Sequence, residues 1–210
     1  MRWFSALTCT CLWAIAFGGG GGDDVGVPTW VFQLADSLAS EAGVDINKLA
    51  PWEQLQLAAK GTHQVAAVCD RGIDFLHLFS GEDNPGKAMQ KRGYTTKNFD
   101  IRNDKSQNFV RLPGLLYAGI LVAGIVPGGA LLAGPDCSSW VWMSRGSSWR
   151  SRTCSVWGRD DTKFVYDGNA TALYMSACLN IFHEACFARS TLHEVTRMTL
   201  IMKLVSRSQN

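Results

Sequence analysis

FLHLFSGEDNPG, residues 75–86, is the stretch on which the interpretation of the whole chain depends. An apolar run from Ile73 to Phe79 ends there at a turn of small and polar residues that contains Ser80, Gly81 and Gly86. A helix-compatible segment, predicted over residues 86–92, follows at once. A strand, a glycine turn and a helix in this order are typical of sites for nucleotide-type ligands, because backbone N–H groups and the helix N-terminus face the ligand.

A carboxylate downstream fits the same kind of site. The segment YTTKNFDI is rich in Tyr, Thr and Phe, which predicts a second strand that ends at Phe99 and Asp100. Asp100 lies about 20 residues beyond the glycine turn, the spacing at which such sites place the acid that accepts hydrogen bonds from ribose hydroxyls. Asp100 is therefore the candidate for the ribose-binding acid.

Composition predicts one ordinary domain with appendages. The 210 residues are 47% hydrophobic and 18% charged, so the chain can bury a large core. A formal net charge of +2 is too small to indicate nucleic-acid binding by itself. The seven cysteines include no CxxC pair and no zinc spacing, which favours reduced thiols. Two His-Glu pairs fail to complete HExxH, so no metal site is expected.

The first 22 residues are interpreted separately from the rest. Arg2 precedes an uncharged run from Trp3 to Phe17, and Ala14-Ile15-Ala16 resembles a cleavage site, which is the layout of a secretory or membrane-targeting leader. An ordinary apolar start is the alternative. Five glycines, Gly18–Gly22, then form a flexible joint. We favour an intracellular soluble protein over a secreted or membrane-targeted one.

Residues 23–62 predict a helical N-terminal segment. TWVFQLADSLASEAG has apolar residues at helical spacing and a stop at Gly43, and a second helix begins at Pro51 and ends at Gly61. Residues 63–68 and Ile73–Phe79 are the first strand candidates. The second is the better one, because its continuous apolar character suits a central parallel strand covered on both faces.

The uncharged stretch from Leu112 to Gly134 has two interpretations. Its 23 residues are long enough for a transmembrane helix. Pro113, Pro127 and the pair Gly128-Gly129 divide it, however, and such punctuation favours a buried helix over 114–125, a PGG turn and a buried strand GALLAG. We favour the second interpretation.

Basic and aromatic residues follow this strand. The set Arg145, Trp149, Arg150 and Arg152 combines charges that contact phosphates with a ring on which bases stack, which predicts a nucleic-acid interface. A surface loop with incidental arginines is the alternative. Residues 161–210 predict a helical C-terminal segment, whose last part carries an apolar stripe of Leu192, Val195, Met198, Ile201, Met202 and Val205.

Three motifs in this order, FLHLFSGEDNPG, NFD and PGGALLAGPDCSSW, resemble the cofactor half of class I S-adenosylmethionine-dependent methyltransferases. More narrowly, the chain is similar to the cytosine-5 DNA methyltransferases, with their D-L-F-S-G and G-P-P-C motifs, and to a set of algal proteins that share the pattern LFSG…GPPCSSWVW…RG. The similarity covers about residues 73–152. It implies an α/β fold over residues 63–160, a Rossmann-like core with a mostly parallel sheet flanked by helices.

The resemblance also implies roles for individual residues. Cys137 would be the nucleophile that adds to the sixth ring carbon of cytosine in DNA or RNA, and nearby arginines would favour its thiolate. Asp100 would bind the ribose of S-adenosylmethionine, and the glycine turn would hold the methionine moiety. The implied cofactor-binding residues are Phe79, Ser80, Gly81, Gly86, Asp100 and Pro135.

Three departures from the family pattern bear on catalysis. His77 stands where the family has the aspartate of D-L-F-S-G, and Asp136 replaces the second proline of G-P-P-C, which places a negative charge beside the thiol and weakens it as a nucleophile. The glutamate motif E-N-V or E-Q-P and a target-recognition domain are not recognisable. We therefore expect a truncated or degenerate member, or one completed by another polypeptide. The alternatives are a non-catalytic cofactor- or nucleic-acid-binding pseudoenzyme and a membrane-anchored protein.

Overall fold

The computed structural model describes residues 26–66, 72–135, 145–150, 157–158 and 162–187. The described helices are α1 (Thr29–Ala42), α2 (Pro51–Ala66), α3 (Asn84–Gln90), α4 (Leu112–Ala123), α5 (Arg145–Ser148) and α6 (Lys163–Phe187). The described strands are β1 (Ile73–Leu78), β2 (Thr96–Phe99) and β3 (Ile125–Ala133). The predicted leader, the glycine joint, Cys137, Arg152 and the apolar stripe at 192–205 lie outside these residues.

The three described strands form one parallel sheet in the order β2-β1-β3. Phe75 of β1 pairs with Thr96 of β2 on one side and with Ala130 of β3 on the other. The chain therefore leaves β1 in one direction to form β2 and then returns past β1 to form β3. The prediction of an α/β fold with a parallel sheet flanked by helices is confirmed for this part of the chain. In such sheets the crevice beside the strand where the order reverses is the usual ligand site.

The core lies between the sheet and a helical layer formed by α2, α4 and α6. Leu76 and Leu78 of β1 are fully buried in it, and Leu116 of α4 is equally inaccessible. Helix α4 is apolar around most of its circumference because it contacts β1, β3, α2 and α6. Burial on all sides thus accounts for the first half of the uncharged stretch. No helix among the described residues is long and apolar enough to cross a membrane.

Helix α2 corrects one sequence prediction. Gly43 ends α1 in the left-handed conformation, as predicted, but Gly61 does not end α2, which continues to Ala66. A strand over residues 63–68 is therefore wrong for 63–66. The reason is packing: a Cβ at Gly61 would lie 2.8 Å from methyl groups of both Leu38 and Leu116. Gly61 lets α2 approach α1 and α4 closely. Its role is therefore to allow close packing between helices, and it does not end α2.

The PGG segment also differs from its prediction. The turn between α4 and β3 falls at Gly124, and Pro127, Gly128 and Gly129 belong to β3. Between the pairs Ile73↔Ile125 and Phe75↔Ala130 the register shifts, since β3 uses more residues than β1 over the same distance. Gly128 has φ +87°, a conformation that side chains disfavour. The glycines thus accommodate a bulge within an edge strand of the described sheet.

The buried hydroxyl of Tyr174 in α6 should lower the free energy of unfolding by a measurable amount. The Tyr174 side chain is 0% exposed and its ring lies 5.9 Å from that of Phe109, but its hydroxyl has no hydrogen-bond partner among the described residues. Burial also raises the pKa of the phenol. An unsatisfied buried hydroxyl costs about 1–3 kcal/mol. We therefore expect Tyr174→Phe to increase the free energy of unfolding by roughly this amount in urea titrations.

Tyr166→Phe is the matched control. Tyr166 lies on the same helix, is 38% exposed, and can hydrate its hydroxyl, so the change should stay within about 0.5 kcal/mol. A Tyr174→Phe variant that is less stable than the wild type would show that the hydroxyl has a favourable partner.

Candidate functional site

The ends of the three strands lie side by side. The N–H of Phe79 donates to the carbonyl of Phe99 over 2.7 Å, and the N–H of Gly134 donates to the carbonyl of Leu78 over 3.2 Å. The residues that follow β1, β2 and β3 are therefore neighbours at one edge of the sheet. This edge contains the glycine turn, Asp100 and Pro135, which is exposed just after β3.

The glycine turn has an unusual backbone. Phe79, Gly81 and Asp83 have φ values of +59°, +54° and +51°, so every second residue is left-handed. For Phe79 and Asp83 this conformation is strained, and such strain is concentrated at sites where the local geometry is required for function. A Cβ built at Gly81 would meet no atom within 4 Å, so there is open space on that side of the turn. A ligand could approach the backbone there.

Asp100 is fixed at the tip of β2 by main-chain donors. Its Oδ2 accepts a hydrogen bond from the N–H of Gly81 at 2.8 Å, and its Oδ1 accepts one from the N–H of Arg102 at 2.7 Å. The N–H of Asp100 itself donates to Oε1 of Gln107 over 2.7 Å. A carboxylate has about four acceptor positions, so Asp100 can accept further hydrogen bonds while it holds the turn. The structure thus joins the acid at the tip of β2 directly to the glycine turn after β1.

Ser80 connects the turn to the loop after β2. Its side chain is buried, and its Oγ accepts a hydrogen bond from Nδ2 of Asn103 at 3.2 Å. Beneath the turn, the ring of Phe79 meets that of Phe109 edge-on, with centroids 5.0 Å apart. Both contacts fix the turn against the segment that begins with Asp100.

A buried polar pair that the sequence patterns did not indicate lies on the other side of β1. Nδ1 of His77 donates to Oδ1 of Asp83 over 2.8 Å, and Nδ2 of Asn98 donates to Oδ2 of Asp83 over 3.1 Å. Asp83 also caps α3, since it accepts from the N–H of Gly86 at 3.2 Å. A signal for the cap was present in the sequence, because Asp83 comes two residues before Pro85, and aspartate is a favoured cap where proline stands in the first turn of a helix.

Gly86 has a steric role in this arrangement. A Cβ there would lie 2.3 Å from Oδ2 of Asp83, so only glycine lets that carboxylate cap the helix. Gly86 therefore stabilises the turn indirectly, because it lets Asp83 cap α3. Its predicted contact with a cofactor stays a prediction.

The predicted nucleic-acid residues are only partly described. Trp149 is 61% exposed and has a left-handed backbone. Arg150 is buried: its Nη1 donates to the carbonyl of Trp157 over 2.9 Å and its Nη2 to that of Val165 over 3.4 Å. The guanidinium of Arg150 thus links the residues that follow α5 to the first turn of α6. Arg145 begins α5, but its side chain, like Arg152 and Cys137, lies outside the described residues.

Within the described ranges, no group of three or more His, Cys, Asp or Glu side chains is arranged so that it could hold a metal ion. Comparisons with protein-family models, with curated proteins and with solved structures found no match to the chain. The function is therefore argued from the strand tips and from the sequence motifs that lie on them.

Proposed function

We propose that this protein binds S-adenosylmethionine at the carboxyl edge of its parallel sheet and is a methyltransferase-like protein with a Rossmann-like core. The observation that carries the proposal is the 2.8 Å hydrogen bond from the N–H of Gly81 to Asp100. It joins the glycine turn after β1 to the acid after β2, the two parts that a nucleoside ligand needs at the point where the strand order reverses.

The residues present fit this cofactor. Asp100 keeps acceptor positions for two ribose hydroxyls. The open space at Gly81 admits a chain beside the turn that Phe79, Ser80 and Gly81 form. When bound, S-adenosylmethionine would supply an electrophilic methyl group. The chain's own residues would bind the ribose and the amino-acid portion and hold them at the edge that β3 shares.

The reaction that we propose uses Cys137. A thiolate there would add to the sixth ring carbon of a cytosine, so that the neighbouring carbon becomes nucleophilic enough to take the methyl group, with S-adenosylhomocysteine as the leaving group. Loss of the proton from that carbon to water would then expel the thiolate and restore the ring. In the sequence Cys137 comes four residues after Ala133, the last residue of β3, and it lies outside the described residues. Cys137→Ser should abolish methyl transfer to cytosine. Transfer that persists in this variant would require a different acceptor chemistry.

A second candidate, a cofactor-binding protein without turnover, is favoured by one observation. The sequence predicts that Arg150 contacts phosphates. In the structure its side chain is buried and donates to two main-chain carbonyls, so it stabilises the fold. The described part of the predicted nucleic-acid interface then offers the exposed ring of Trp149 with less positive charge than the sequence suggested. Repeated turnovers with radiolabelled methyl groups on DNA or RNA would exclude this candidate.

Calorimetry with S-adenosylhomocysteine tests the binding site. We expect a binding heat with the wild type and a loss of about 100-fold in affinity with Asp100→Ala, because two hydrogen bonds to a charged acceptor contribute roughly 3 kcal/mol. Asp45→Asn, which removes an equal charge from an exposed position, is the control and should bind like the wild type. Neither heat nor thermal shift with the wild type at millimolar ligand would refute the proposed function.

A further inference from the structure

Asp83 lies at the junction between the glycine turn and α3. Its N–H donates to the carbonyl of Ser80 over 2.8 Å, and its own carbonyl accepts a hydrogen bond from the N–H of Lys87 at 3.0 Å. The first of these bonds closes the turn, and the second belongs to the first turn of the helix. A rotation about the backbone of Asp83 would therefore move Gly81 relative to α3.

The side chain of Asp83 is anchored on three different elements. It is buried, and its Oδ1 accepts hydrogen bonds from Nδ1 of His77 in β1 at 2.8 Å and from the N–H of Gly86 in α3 at 3.2 Å. Its Oδ2 accepts one from Nδ2 of Asn98 in β2 at 3.1 Å. Hydrogen bonds to an ionised acceptor are about twice as strong as neutral ones, and exclusion from water strengthens them further. The carboxylate thus fixes Asp83 relative to both strands.

A cap for α3 does not require all of these contacts. Capping uses the bond from the N–H of Gly86, and asparagine caps a helix about as well as aspartate does. The donors on β1 and β2 hold the carboxylate against the sheet and add nothing to the end of the helix. Asn98 is itself exposed, yet its amide donates to Asp83. These two contacts therefore set the position of the turn that precedes α3.

We propose that Asp83 is a positioning residue for the ligand site and keeps the glycine turn in its binding conformation before a ligand arrives. Phe79 and Asp83 have left-handed backbones, which are unfavourable for residues with side chains, so the turn needs surrounding contacts to hold it. Asp83 supplies these contacts on the side of α3, and Asp100, which accepts from the N–H of Gly81, supplies them on the side of β2. A turn that is already ordered needs no rearrangement on binding, which raises ligand affinity.

Hydrogen exchange at the N–H of Gly81, followed by nuclear magnetic resonance on the full chain, tests the effect on the backbone. In Asp83→Asn the new amide can still cap α3, but its N–H group faces a donor on the sheet, so one contact is lost. We expect the Gly81 N–H to exchange about tenfold faster, the factor for loss of one hydrogen bond to a charged group. The double variant Asp83→Asn with Asn98→Asp exchanges donor and acceptor and should restore the wild-type rate. Asp45→Asn, the same change at an exposed aspartate, is the matched control and should leave the rate unchanged. Faster exchange at Gly86 alone would show that Asp83 only caps the helix, and would overturn the proposal.

Calorimetry with S-adenosylhomocysteine tests the effect on ligand affinity, and this part rests on the proposed function. Asp83→Asn should bind about tenfold more weakly than the wild type at a temperature where both are folded, and the double variant should recover the wild-type affinity. A role in stability alone would lower the unfolding midpoint without changing the affinity, and that result would overturn the proposal while the proposed function stands. A wild type that binds no ligand would refute the proposed function, and the exchange rate of the Gly81 N–H would still decide whether Asp83 positions the turn.

Discussion

Gly114→Ala should destabilise the protein by about 3 kcal/mol or more, in the upper range for overpacked sites. Gly114 lies in the first turn of α4, where a Cβ would sit 2.2 Å from the carbonyl oxygen of Asn108 and 2.7 Å from its carbonyl carbon. These are main-chain atoms, and that same oxygen accepts a hydrogen bond from the N–H of Arg111. Relief would have to move the turn that leads into the helix.

The control for this variant is Gly72→Ala. The methyl group added at Gly72 would have no atom within 4 Å, and the backbone there is not left-handed, so the change should stay within about 0.5 kcal/mol. Urea unfolding followed by circular dichroism measures both. A Gly114→Ala protein as stable as the control would mean that α4 does not approach the loop after β2 as closely as described.

The second large effect is a loss of stability in alkali that depends on Cys178. This thiol is 1% exposed, and burial raises its pKa from 9.0 to about 12. The unfolded chain therefore releases the proton first, so the stabilisation is complete below pH 9 and is lost as the pH rises towards 12. At pH 10.5 the loss amounts to about 2 kcal/mol, since each pKa unit corresponds to about 1.4 kcal/mol.

Cys178→Ala isolates this contribution. The variant will be less stable at every pH because it leaves a cavity where the buried sulfur was, but its stability should fall less between pH 8 and pH 10.5 than that of the wild type. Tyr174 titrates in both proteins and cancels from the comparison. Equal slopes in urea unfolding under reducing conditions would show that the thiol reaches solvent in the folded state.

The strand β1 could be predicted because four of its six residues are large and apolar, a feature that belongs to the strand itself. Asp100 could be predicted because the distance from a glycine turn to the acid is set by the length of one helix and one strand. Local periodicity and chain length were sufficient for these features.

Other features depend on partners that are distant in sequence. Gly61 has the sequence pattern of a helix stop, but in the structure it allows the helix to pack against Leu116. The PGG segment has the pattern of a turn, but β1 pairs with the residues on either side of it, so the segment belongs to a strand. The pair His77 and Asp83 requires a left-handed Asp83, a conformation that sequence patterns rarely indicate. The internal use of Arg150 by main-chain carbonyls likewise depends on the position of α6.

The strand order β2-β1-β3 also has a consequence for the order of folding. The unit β1-α3-β2 closes over a short stretch of chain, whereas β3 can pair with β1 only after α4 has returned across the sheet. During synthesis one flank of β1 stays without a neighbour until Ala133 has left the ribosome. That flank leaves main-chain N–H and C=O groups unpaired on a strand that carries Phe75, Leu76 and Leu78, the kind of segment that associates with other nascent chains, so chaperone dependence should be greatest in this interval.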